Sequence, residues 1–110
     1  MRKIEKFNTL LKQAINDNQV ILVETYLRFE KQITMNISDE DFDLHLISFM
    51  KELAKEATSL LEKKSTKKLG EEKIYCLSLL SYSFLSGKTS IVIERKNVKV
   101  KQNGTTSIEV

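Results

Sequence analysis

The stretch that most constrains the fold of this chain is residues 73–86, KIYCLSLLSYSFLS. Its only charge is the lysine at its start, and as a helix it would present apolar side chains on every side, with serines between them. A helix that is apolar all round has to be covered all round, by its own chain or by a partner. It is too short to cross a bilayer, which needs about 20 apolar residues. We therefore predict a central buried helix here, and no membrane partner.

The composition limits the class of protein to which this chain can belong. The chain has 110 residues, of which 41% are hydrophobic and 30% charged, as in an ordinary globular protein. This length fits a single domain, residues 1–110. Proline is absent, so helices can run uninterrupted, and the three glycines, Gly70, Gly87 and Gly104, are predicted to mark the ends of elements. The N-terminus lacks the apolar segment of a signal peptide, which predicts a cytoplasmic protein.

Three further segments are read as helices. Residues 2–15 place apolar side chains at three- and four-residue spacing and end at a turn-prone Asn-Asp-Asn sequence. Residues 39–64 form the longest predicted helix, which Ser38 caps and which has three acidic residues in its first turn. Residues 19–35 fit either a helix or a strand; their length and the sequence LRFEKQ favour a helix.

After Gly87 the hydrophobic period changes from 3.6 to 2. Residues 90–95, 98–102 and 105–110 are read as strands, and Asn103-Gly104 is a strong hairpin signal. The predicted fold class is therefore α+β. Its helical part, residues 2–86, has three to four helices around the buried helix 73–86, and a small C-terminal antiparallel β-meander, residues 90–110, lies on them or pairs with a second chain.

The predicted apolar surface is larger than one small chain can cover, which predicts a homodimer. The long helix carries a narrow apolar seam of the kind that packs against another helix at a shallow angle. If this seam faces a second copy, the oligomer interface consists of Leu46, Met50, Leu53 and Leu60.

The net charge of +3 is unevenly distributed. Residues 1–62 carry 8 Lys and Arg against 11 Asp and Glu, whereas residues 63–110 carry 10 against 4. Basic residues in the second part could contact phosphates or an acidic protein face, although lysines on a strand edge also prevent aggregation. The candidate binding residues are Lys63, Lys64, Lys67 and Lys68 between the last two helices, and Arg95, Lys96, Lys99 and Lys101 on the predicted hairpin.

No catalytic or metal-binding motif is found. His45 is the only histidine and is read as a boundary residue bonded to Asp41; Cys76 is the only cysteine and is read as a buried, inert thiol. The acidic residues at 39–43 lack the glycine and the distal glutamate of a calcium loop. Residues 87–90, GKTS, lack the first glycine of a phosphate-binding loop. We expect no cofactor.

The leading hypothesis is a small, non-enzymatic protein-binding adaptor, inhibitor or regulator that acts as a homo-oligomer and is encoded by a phage or mobile element. The alternative is a nucleic-acid-binding protein that uses the basic link 63–68 and the hairpin 95–101. An enzyme would need a site shared across a dimer interface.

Overall fold

A computed structural model describes residues 1–85 with their side chains and, beyond them, the backbone of residues 89–94, 97–102 and 107–108. The four helices are α1 (Lys3–Asn16), α2 (Val20–Glu30), α3 (Asp39–Leu61) and α4 (Lys67–Phe84). The predicted helices at 2–15 and 39–64 are confirmed, with α3 ending three residues early. The ambiguous segment 19–35 is a helix as favoured, but a turn follows Glu30.

Extended backbone occurs only after α4, in three short segments of the described chain: β1 (Thr89–Glu94), β2 (Asn97–Gln102) and β3 (Ser107–Ile108). They pair antiparallel in the order β1-β2-β3. Thr89 lies opposite Gln102, and Val100 lies opposite both Ile91 and Ile108.

The predicted fold class, α+β, is wrong. Across residues 1–85 the regular structure is entirely helical, and this part of the chain is a small helical bundle. All the buried apolar side chains that the structure describes lie between Ile4 and Leu85, on the helices or in their connections. The core that the structure describes therefore lies on the helices and their connections.

The chain consists of two compact units, of which the first is Met1–Leu46. Its centre is an aromatic cluster in which Phe7 of α1 meets three other rings edge-on: Tyr26 at 5.4 Å, Phe29 at 5.6 Å and Phe42 at 6.2 Å between centroids. Phe29 and Phe42 also pack edge-on, at 5.3 Å. Edge-to-face pairs of this kind each contribute about 0.5–1.5 kcal/mol beyond burial of area.

The α1–α2 turn forms where the Asn-Asp-Asn sequence predicts it. Asn18 has φ 55°, in the left-handed region that asparagine tolerates better than most residues. The backbone N–H of Gln19 donates to the Ala14 carbonyl over 3.0 Å, which closes the end of α1.

The start of α3 is tied to the start of α1 within the same unit. Ser38 Oγ accepts a hydrogen bond from the Asp41 backbone N–H over 3.1 Å, so the predicted cap is confirmed. The backbone N–H of Lys3 donates to Asp39 Oδ1 over 2.9 Å, and Lys3 Nζ contacts Asp43 Oδ1 at 2.5 Å. Helix-start electrostatics and this ion pair account for the acidic sequence at 39–43.

The second unit, Ile47–Val110, contains the rest of α3, α4 and the strands. Gly70 lies inside α4 rather than at the end of an element, so the prediction that it is punctuation is wrong. A Cβ atom at Gly70 would come within 3.1 Å of both the Ala57 carbonyl oxygen and Leu60 Cβ. The glycine therefore serves close helix–helix packing.

The prediction that α4 is apolar and buried all round is wrong. The helix starts at Lys67 and has one covered face, formed by Gly70, Lys73, Cys76, Leu77, Leu80, Ser81 and Phe84. Tyr75 and Tyr82 are 56% and 78% exposed on the other side. A tyrosine has an apolar ring and a hydroxyl that can stay in water, so its presence does not require burial.

Candidate interaction surfaces

The residues predicted to form a dimer seam lie on α3. Leu46, Met50 and Leu53 have no exposed surface within a single chain, and Leu60 is half-buried. Their regular spacing is thus explained by burial within the chain itself. A second copy on this seam stays a prediction.

The basic link is a turn between α3 and α4. The hydroxyl of Thr66 donates to the Leu60 carbonyl over 2.7 Å, and the Thr66 backbone N–H donates to the Lys63 carbonyl over 3.1 Å. The first bond satisfies a carbonyl that the end of α3 leaves without a helical partner, and the second closes the turn that follows. The turn thereby brings four exposed lysines into one segment: Lys63, Lys64, Lys67 and Lys68.

Acidic residues reduce the charge of this segment. Glu62, Glu71 and Glu72 are also exposed, so three negative charges accompany the four lysines. Of the other predicted basic residues, Arg95 and Lys96 lie outside the described residues. Lys99 and Lys101 lie in β2, of which the structure describes the backbone.

His45 is exposed near the start of α3. Its Nδ1 lies 2.9 Å from the backbone carbonyl oxygen of Asp41. A carbonyl only accepts, so Nδ1 carries a proton and donates it in this bond. The predicted contact with Asp41 is therefore made, but to the backbone rather than to the carboxylate.

A shallow groove of about 360 Å³ borders this histidine, within the first unit. It is lined by Gln32, Ile33, Thr34, Asn36, Ile37, Ser38, Asp41 and His45. Among the described residues, no group of three or more His, Cys, Asp or Glu side chains is placed to hold a metal ion. Cys76 is 1% exposed on the covered face of α4, where its thiol is not accessible to a substrate.

The outer side of α4 presents what we call the α4 tyrosine face: Tyr75, Ser78, Leu79 and Tyr82. Both tyrosines and Ser78 are exposed, and Leu79 is half-buried. The tyrosines are two helical turns apart on one side of the helix, a separation of about 10 Å. No charged residue occurs between Ile74 and Leu85.

Sequence reasoning missed this surface because it counted the tyrosines as core residues. The signal that could have revealed it is the seven-residue spacing of Tyr75 and Tyr82, with Ser78 between them on the same face. The covered positions of α4 fall on the opposite stripe.

Other exposed apolar side chains lie in the first unit. Val20 and Leu27 share one side of α2, and Ile15, Met35 and Leu44 are also exposed. Single exposed aliphatic residues are normal on a protein surface. Paired exposed tyrosines are more informative, since aromatic residues are enriched at protein interfaces.

Within the described residues, no helix combines the length and the apolar character needed to cross a membrane. Comparison of the chain with protein-family models, curated proteins and solved structures finds no match.

Proposed function

We propose that this chain is a small, non-enzymatic protein-binding protein, an adaptor, inhibitor or regulator, and that it acts through the α4 tyrosine face. The observation that carries the proposal is the exposure of Tyr75 and Tyr82, at 56% and 78%, on one face of one helix. A tyrosine supplies a large apolar contact area at a low cost in side-chain entropy, and tyrosines are frequent among the residues that dominate binding energy.

A protein partner explains why apolar rings remain in water in the free chain. The rings are held on a regular helix whose opposite face is packed, so their backbone positions are fixed before binding. Preorganisation of this kind lowers the entropic cost of association.

The test is affinity capture with the full chain and two double variants. Tyr75→Ser/Tyr82→Ser removes both rings from the α4 tyrosine face. The control, Val20→Ser/Leu44→Ser, removes two similarly exposed apolar side chains from the first unit. We expect proteins that bind the wild type and the control to be lost from the tyrosine variant. An unchanged set of captured proteins would contradict the proposal.

Nucleic-acid binding is the second candidate, supported by the exposure of all four lysines in the turn between α3 and α4. Binding through lysines to phosphates weakens steeply as salt rises, because counterions are released. Fluorescence anisotropy with labelled single- and double-stranded oligonucleotides, measured over a salt series, tests this directly.

Two double variants that reverse charge show which of the two predicted basic segments binds nucleic acid. Lys63→Glu/Lys64→Glu changes the link 63–68, and Lys99→Glu/Lys101→Glu changes the predicted hairpin 95–101. If nucleic acid is the ligand, the affected pair should lose affinity and reduce the salt slope by roughly one per phosphate contact removed. The absence of any salt-dependent binding would eliminate this candidate.

A further inference from the structure

We draw no further inference here: the strongest candidate, the shallow polar groove that His45 borders in the connection between α2 and α3, carries nothing, because among the residues that the structure describes no buried polar side chain without a partner points into it and nothing in the structure shows which ligand would occupy it.

Discussion

At the scale of single residues, Gly70 determines how closely α4 lies against the last turns of α3 in the second unit. The nearest atoms to a Cβ at this position are the Ala57 carbonyl oxygen, Leu60 Cβ and Leu61 Cδ2, at 3.1–3.2 Å. Two of these belong to the backbone or to the root of a side chain, so they cannot move without moving α3.

We expect Gly70→Ala to lower the free energy of unfolding by about 1 kcal/mol, although alanine in a helix is intrinsically favoured over glycine by a similar amount. Urea unfolding followed by circular dichroism measures the change. The control is Ser59→Ala, at an exposed position of α3, which should gain a few tenths of a kcal/mol from propensity. A stabilised Gly70→Ala variant would show that the helices can separate freely.

Thr58 on α3 has a buried hydroxyl oxygen for which the described residues provide no hydrogen-bond partner. Burying a hydroxyl without a partner costs about 1–3 kcal/mol by mutational data. We expect Thr58→Val, which keeps the shape and removes the hydroxyl, to raise the free energy of unfolding by about 1 kcal/mol. Thr25→Val is the control and should not raise the free energy of unfolding, because the Thr25 hydroxyl donates to the Ile21 carbonyl over 2.8 Å. A loss of stability for Thr58→Val would contradict this interpretation.

At the scale of elements, the first turn of α3 depends on one cap. Ser38 Oγ accepts from the Asp41 backbone N–H, one of the donors that a helix start leaves without a helical partner. We expect Ser38→Ala to lower the free energy of unfolding by about 1 kcal/mol. Thermal or denaturant unfolding measures the change. Ser48→Ala, in the middle of the same helix, should instead be neutral or slightly stabilising. Equal effects at the two positions would refute the cap.

The ion pair between Lys73 of α4 and Glu56 of α3 joins the two helices of the second unit. The lysine side chain is 5% exposed and the glutamate side chain 36%. The lysine therefore depends on its carboxylate contact more than the glutamate depends on the lysine. Buried ion pairs are costly to break from one side and cheap to replace by apolar groups.

We accordingly expect Glu56→Ala to lower the free energy of unfolding by about 1–3 kcal/mol, since it removes the carboxylate that contacts a buried ammonium. Lys73→Met keeps the length of the side chain and leaves a glutamate that water can reach, so it should change stability by less than about 1 kcal/mol. Denaturant unfolding of the two single variants gives the comparison. A larger loss of stability for Lys73→Met than for Glu56→Ala would contradict this interpretation of the ion pair.

At the scale of the whole molecule, the homodimer predicted from the sequence has a thermodynamic signature. A partner that binds the folded chain stabilises it by mass action, so the apparent midpoint of unfolding depends on concentration. We expect the midpoint temperature measured by differential scanning calorimetry to rise with the concentration of the wild-type chain. A midpoint independent of concentration in the wild type would count against the dimer.

Helix identity and the starts of α1 and α3 were predictable because they depend on local patterns. The apolar spacing of α1, the cap at Ser38 and the turn at Asn18 all act within a few residues, and all three are found. The exact ends of the helices were less predictable. The sequence predicts a link at residues 67–70, but these residues form the first turn of α4. Propensity alone does not distinguish a glycine that ends a helix from one that lets two helices touch.

The candidate interaction surfaces were likewise predictable only in part. The sequence by itself determined four amphipathic or apolar helical segments and the exposure of the lysines at 63–68, because charge and period are local properties. Only the tertiary structure decided that Leu46, Met50 and Leu53 are covered within the chain, that the described core lies on the helices and their connections, and that Tyr75 and Tyr82 remain in water. The reason is that burial depends on which face of a helix finds a neighbour, and an apolar side chain in a sequence does not specify that neighbour.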